Sequence, residues 1–310
     1  MSDNVAHAIS GATGGMFSMA LTYPLVTVST RAQVTAKKQG TSKQTGSSAL
    51  KNIIKEEGIS GLYSGIESAL FGIGVTNGVY YYWYELVKAF FDPTSRGMTT
   101  AESMIAGAIA GSATTLITNP IWVLNTRMTV SKNTKDPNAS KPTTIGTALK
   151  IFKDSGPAEF WRGVGPALVL VINPIIQYTV FEQLLAKVKQ WKKGQALSPW
   201  DFFWLGAVSK LAATGFTYPY ITVKARMQVQ TKVSASSDPT TTYSSAADAF
   251  VKILRHEGVL GFYQGISSKL LQSVLTAAFL FMLKEQLFGF SVFLMESTGM
   301  RPKKVAVAAA

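Results

Sequence analysis

With 310 residues, 47% of them apolar, the chain can bury a large core and is too hydrophobic for intrinsic disorder. Its net charge of +13 points to acidic partners such as phosphorylated solutes or anionic lipid headgroups. The absence of cysteine and a histidine count of two (His7 and His256) exclude disulfides, thiolate catalysis and a cysteine or histidine metal cluster.

The predicted elements follow in three rounds. Residues 5–30 carry no Asp, Glu, Lys or Arg, and 5–36 reads as a membrane span kinked near Pro24. A basic loop at 37–46 leads to a short amphipathic helix at 47–57, which Gly58 stops, and then to a second span at 65–91. The second round has a span at 101–131, a Lys/Asn/Pro loop, a short helix near 145–154 and a span at 163–190. The third has a span at 199–231 interrupted by Lys210, a Ser/Thr loop, a short helix at 245–257 and a span at 265–293. Six spans of this kind place the loops after the first span of each round on one side of a membrane and both termini on the other. Mean hydropathy of +0.18 is modest for six spans, so many helix faces are expected to look into a polar interior. Nucleic acid is not an expected partner, because the basic residues sit in loops beside the spans and no recognition motif is present. The N-terminus lacks a signal-peptide or Arg-rich transit pattern and the chain ends RPKKVAVAAA, so any targeting signal is expected to be internal. Basic segments 37–43 and 132–141 are candidate targeting or lipid-binding patches.

The rounds are copies of one unit. Pro24, Pro120 and Pro219 lie in YPLVTVSTRAQV, NPIWVLNTRMTV and YPYITVKARMQV, followed by EGISGLYSG, SGPAEFWRG and EGVLGFYQG. One helix-interior proline is an accident, whereas three in register are an architecture. The expected fold is an all-α membrane protein with six transmembrane helices in three tandem two-helix repeats related by pseudo-threefold symmetry, each with a short amphipathic helix. The repeat boundaries are placed at 1–96, 97–194 and 195–295, with a tail at 296–310.

These three registered motifs resemble the mitochondrial carrier family of solute transporters, whose pattern is Pro-x-acid-x-x-base-x-base followed by acid-Gly-x4-aromatic-base-Gly. Arg31, Arg127 and Arg226 fill the last basic position, but Val26, Trp122 and Ile221 replace the acids, and Ser29, Asn125 and Lys224 occupy the first basic one. The family's ring of salt bridges on the lumenal or matrix side therefore cannot form. Packing around the kinks and hydrogen bonds are expected to close that side, with Gln33 and Gln228 as bracing glutamines. Arg31 and Arg226 are expected to pair with Glu57 and Glu257, whereas Ser155 leaves Arg127 without the equivalent glutamate. The opposite gate is reduced to Glu85 with Lys88, Glu182 and Glu285.

Within the family the spans NPIWVLNTR, NPIIQYTVFE, GAVSKLAAT and KLLQSVLTAAFLF look most like the peroxisomal adenine nucleotide carriers. The resemblance implies exchange of ATP for AMP or ADP across the peroxisomal membrane by alternating access. Coenzyme A, NAD or FAD, or a mitochondrial inner-membrane location, remain open as alternatives, as does a non-transporting tether. An import receptor and anionic lipids join the expected partners. No nucleophile–base pair, phosphate loop or metal cluster appears, so neither an enzyme nor a cofactor is expected.

A nucleotide needs cations for its phosphates and polar or aromatic groups for the rest. The candidate cations are Lys269, one turn before Gln272, and the intramembrane Lys210. Asn77 and Tyr81 share a helix face with Glu85, and Asn173 and Gln177 flank Pro174. Arg31, Arg127 and Arg226 are candidates for an electrostatic funnel at the lumenal mouth.

Overall fold

The computed structural model describes residues 2–35, 46–92, 97–131, 143–192, 197–230 and 242–276, and all regular structure among them is helical. Three long helices carry the motif prolines in their interiors: α1 Ser2–Val34, α4 Thr100–Val130 and α8 Pro199–Val229. At about 1.5 Å per residue, helices of 31 residues are long enough to cross a hydrocarbon layer with turns to spare. Each is followed by a short amphipathic helix: α2 Gly46–Glu57, α5 Thr144–Ser155 and α9 Ala246–Glu257. A 3-10 turn comes next, at Ile59–Tyr63, Pro157–Trp161 and Val259–Tyr263, and the second long helix starts from it. That helix is α3 Ile66–Phe91 in the first repeat and α10, described over 266–276, in the third.

In the second repeat the expected span at 163–190 is broken. It consists of α6 Val164–Val169, a 3-10 turn at Leu170–Ile172 and α7 Asn173–Trp191. Pro174 has no N–H to give to the carbonyl four residues back, and its ring crowds that carbonyl, so the chain tightens there. Two of the long helices start on side-chain caps. Thr99 and Glu102 form a reciprocal capping box on α4, as do Ser198 and Asp201 on α8.

The long helices are polar towards one another and apolar outwards. Ser18, Thr22, Thr27, Ser29 and Gln33 are all buried on α1, whereas Phe71 is 64% exposed and Phe216 73% exposed. In water this arrangement would forfeit the hydrophobic effect, but against lipid tails it is favourable. Two stretches among the described residues, Thr100–Val130 and Pro157–Trp191, pass a length-and-hydropathy test for crossing a membrane. The amphipathic helices seat their apolar faces on the first helix of their own repeat. Ile53 packs with Val28 and Leu62, and Ile253 with Val223, Met227 and Phe262.

The repeats are joined in a cycle by three glycines with left-handed backbone: Gly65 (φ 84°), Gly163 (φ 77°) and Gly265 (φ 76°). Each turns the chain into a second helix while pressed against the next repeat. Gly65 faces Met128 and Thr129, Gly163 faces Lys224 and Gln228, and Gly265 faces Ser29 and Ala32. A Cβ on Gly265 would lie 2.8 Å from the Ser29 carbonyl oxygen and 2.9 Å from the Ala32 Cβ. Gly265→Ala is therefore expected to cost roughly 2–5 kcal/mol, the sum of the left-handed penalty and overpacking. Gly58→Ala, with φ 75° and ψ −172° but open space around it, should cost only the conformational part, about 1–3 kcal/mol. Thermal melting of the two variants in detergent, compared with the parent, checks the difference.

Candidate functional site

Seven residues after each motif proline, an arginine closes one end of the helix bundle. Arg31 holds Glu57 with two hydrogen bonds of 2.5 and 3.0 Å, and Arg226 holds Glu257 in the same two-pronged way. Both pairs expected from the sequence are therefore made. Arg127 lacks the glutamate equivalent to Glu57 and Glu257, as Ser155 led us to expect, but takes another one, Glu159, at 2.7 Å. The carboxylate enters from the 3-10 turn rather than from the end of the amphipathic helix, so spacing from the repeat register missed it. The signal was present in the phrase SGPAEFWRG, whose only acid is Glu159.

Each arginine also reaches across to the neighbouring repeat. The Arg31 Nε donates to the Thr129 carbonyl at 2.9 Å, the Arg127 Nε to the Gln228 carbonyl at 2.8 Å, and the Arg226 Nε to the Gln33 carbonyl at 2.9 Å. All three acceptors lie nine residues after a motif proline, so the links run from repeat one to two, two to three and three to one. This closed ring of charge-assisted hydrogen bonds stands where the missing acids preclude a ring of ion pairs. The side chains at those positions add further links. Gln33 donates to the Tyr218 hydroxyl at 3.1 Å, Gln228 accepts from Thr126 at 2.9 Å, and the Tyr23 and Thr129 hydroxyls lie 3.3 Å apart. Trp122, in an acid's place, covers Gly72 and donates to Thr76 at 3.1 Å. The arginine side chains are only 14%, 8% and 2% exposed for Arg31, Arg127 and Arg226. Their guanidinium groups are occupied by carboxylates and carbonyls, so the expected electrostatic funnel is not what this arrangement forms. A cation held in a buried pair has little charge left to offer an incoming anion.

Among the described residues no such ring closes the other end of the bundle. Among the described residues Glu85 meets only its own helix neighbour, Lys88, at 3.8 Å, with both side chains more than 40% exposed. Glu182 is exposed, and Glu285 lies outside the described residues, as do the basic segments 37–43 and 132–141. A cavity of about 770 Å³ runs inward from Met98, Thr100 and Ser103 at the start of α4. It passes between Tyr80 on α3 and Tyr178 on α7 and reaches Lys224 on α8.

Lys210 and Lys224 lie on α8 about four turns apart and within roughly 40° of one face, and Lys269 lies on α10. Among the described residues none of these three side chains has a carboxylate or hydrogen-bond partner. Gln272, one turn after Lys269, is 8% exposed; its amide nitrogen donates to Thr276 at 3.2 Å and its Oε1 has no partner.

The structure lines this cavity with Lys224, which the sequence marked only as a gate position, and not with Lys210, Lys269 or Gln272. It does not bring Asn77 and Tyr81 into the described cavity. Both are exposed, and the cavity is lined by Thr76 and Tyr80, one residue earlier on each turn. A helix turns by about 100° per residue, so a one-residue difference changes the face. Asn173 is tied to α8, donating to Thr217 at 2.7 Å and to the Ala213 carbonyl at 3.2 Å, and so braces the broken helix. Gln177 is half-buried beyond it. No group of three or more metal-ligating side chains occurs among the described residues.

A family model for mitochondrial carrier proteins matches the chain three times, over residues 2–95, 96–190 and 195–291. The chain is 38% identical to the peroxisomal membrane protein PMP47B of Candida boidinii, with 96% of this chain and 88% of that protein covered. It is 36% identical to a peroxisomal nicotinamide adenine dinucleotide carrier of Arabidopsis thaliana, covering 93% and 96%. Identity is 30% with peroxisomal adenine nucleotide carrier 1 of the same plant, covering 92% and 90%. Three matches in the register of the three proline helices, on an all-helical chain closed at one end by three equivalent arginines, place this protein in the mitochondrial carrier family.

Proposed function

We propose that the protein exchanges ATP for AMP or ADP across the peroxisomal membrane, by alternating access to one central site. The observation that carries this reading is the cavity itself. It extends from the start of α4 to Lys224, two residues before Arg226 of the ring, and is lined by Tyr80 and Tyr178. Lysines suit phosphate and tyrosine rings suit a purine face. The peroxisomal and nucleotide names of the relatives support the same reading. Movement to the opposite-facing state has to break the links that cross between repeats, from each arginine Nε to a neighbouring carbonyl. The arginine–glutamate pairs lie within single repeats and can travel with them. Hydrogen bonds to charged groups are worth about 1.5–3 kcal/mol each, so a substrate that binds best in the occluded intermediate supplies energy of the right order to release them.

A second reading, transport of NAD, is favoured by the higher identity to the plant NAD carrier, 36% against 30% for the adenine nucleotide carrier. Uptake of labelled ATP by proteoliposomes preloaded with AMP, ADP, NAD, coenzyme A or nothing separates the two. Uptake driven by internal AMP or ADP is the expected result. Uptake of labelled NAD without any of ATP would replace the substrate and keep the carrier. Silence towards every solute, with folded protein in the membrane, would leave a non-transporting tether as the reading.

A further inference from the structure

The residue before each motif proline breaks the threefold pattern. It is a tyrosine in repeats one and three, Tyr23 and Tyr218, and an asparagine in repeat two, Asn119. Both tyrosines are fully buried, and each hydroxyl donates to the carbonyl before its own repeat's left-handed glycine, Ser64 or Gln264, at 3.0 Å. The hydroxyl oxygen can then accept from the next repeat. Asn125 donates to the Tyr23 hydroxyl at 3.2 Å across the seam between repeats one and two. Gln33 donates to the Tyr218 hydroxyl at 3.1 Å across the seam between repeats three and one. Asn119 turns its amide into its own repeat, donating to the Phe160 carbonyl at 2.8 Å, and has no hydroxyl to offer a neighbour. Across that seam Gln228 is 2% exposed, and its Nε2 has no partner. Turning the amide over would change which end faces Thr126 and still leave the other end bare.

A second link is missing at the same seam. Five residues after the motif proline, Ser29 donates to the Gly265 carbonyl at 3.4 Å and Asn125 to the Gly65 carbonyl at 2.9 Å. Lys224 holds that place in repeat three and makes no hydrogen bond among the described residues. The seam has one bond of its own, from Arg162 to the Tyr243 carbonyl at 2.8 Å, but that arginine side chain is 22% exposed and can exchange this partner for water. Parting either of the other seams breaks satisfied bonds. Parting the seam between repeats two and three hydrates a buried amide end that has no partner, which recovers the penalty of leaving it bare. We infer that the three seams do not open together: the seam between repeats two and three parts first, and the hydroxyls of Tyr23 and Tyr218 latch the other two. Asn119 is then the residue that sets where the closed end yields. This inference rests on alternating access and not on which solute is carried.

The chain has no cysteine of its own, so single introduced cysteines report on each seam. Met128 and Met227 hold equivalent positions, are both 8% exposed, and lie against the glycine across their seams, Gly65 and Gly163. In the purified, full-length carrier in detergent, a small maleimide should label Met227→Cys about 10-fold faster than Met128→Cys, the ratio that one bare buried amide end supports. Tyr23→Phe, which removes only a hydroxyl, should speed the labelling of Met128→Cys several-fold. Asn119→Tyr should slow the labelling of Met227→Cys towards the Met128→Cys rate and raise the melting temperature. If it lowers the melting temperature instead, the ring does not fit there and Tyr23→Phe decides alone. Equal labelling of the two cysteines, or faster labelling of Met128→Cys, overturns the ordered opening. Labelling of Met128→Cys that Tyr23→Phe leaves unchanged overturns the latch. The two readings fail separately. Ordered labelling without exchange of ATP upholds the weak seam and removes the nucleotide assignment. ATP exchange with equal labelling removes the weak seam and leaves that assignment standing.

Discussion

Lys269→Ala is expected to lower ATP uptake by about 10- to 100-fold at limiting substrate, with no loss of melting temperature in detergent. The uptake loss follows from removing a charge-assisted hydrogen bond to phosphate, worth about 1.5–3 kcal/mol in an enclosed site. Stability should not fall, because Lys269 has no anionic partner among the described residues. A structural lysine would show the opposite pattern, with a lower melting temperature and uptake reduced only in proportion to folded protein. Lys269→Arg keeps the charge but replaces a compact ammonium with a planar fork, so partial recovery is the expected outcome. Uptake equal to wild type in Lys269→Ala vesicles would remove Lys269 from the site.

Arg226→Ala should be the most destabilising of the three ring substitutions. It would leave Glu257, whose side chain is 5% exposed, without its arginine, and it would free the Gln33 carbonyl at the junction of repeats three and one. Removing one partner of a buried ion pair costs about 3–5 kcal/mol, because the remaining charge stays buried. Gln264 also donates to Glu257, at 2.7 Å, but one neutral amide does not replace a guanidinium. Arg31→Ala should cost less, since that arginine is 14% exposed and water can reach the vacated site. The double variant Arg226→Met/Glu257→Leu separates the pair from the latch. It removes both buried charges, so it should recover much of the stability of Arg226→Ala. It still lacks the Nε link to Gln33, so the closed end should open more readily, seen as faster labelling of a cysteine introduced at Ser29. A double variant as unstable as Arg226→Ala would show that the cost lies in packing and not in the stranded charge.

Much of this architecture was legible in the sequence because its causes are local. A proline cannot donate within a helix wherever it stands, and Gly58, Gly156 and Gly258 mark the ends of the short helices by their backbone freedom. The amphipathic stretches at 47–57, 145–154 and 245–257 accordingly appear as Gly46–Glu57, Thr144–Ser155 and Ala246–Glu257. Repetition extended this to Arg31 with Glu57 and Arg226 with Glu257, since equivalent positions in copied units meet equivalent partners. The same logic failed for Arg127, where the second repeat moved its acid to Glu159 in the 3-10 turn.

The sequence by itself determined the threefold repeat, the helices and their ends, and the charge that a substrate must match. Only the tertiary structure decided what lies between repeats: the carbonyl each arginine reaches, the glycine against which each neighbour packs, and which wall of the cavity each side chain joins. These contacts link residues about a hundred positions apart and depend on how each helix is rotated about its own axis. At about 100° per residue, that rotation exchanges Asn77 and Tyr81 for Thr76 and Tyr80. It also turns Lys224, a gate position by its motif, into the floor of the cavity.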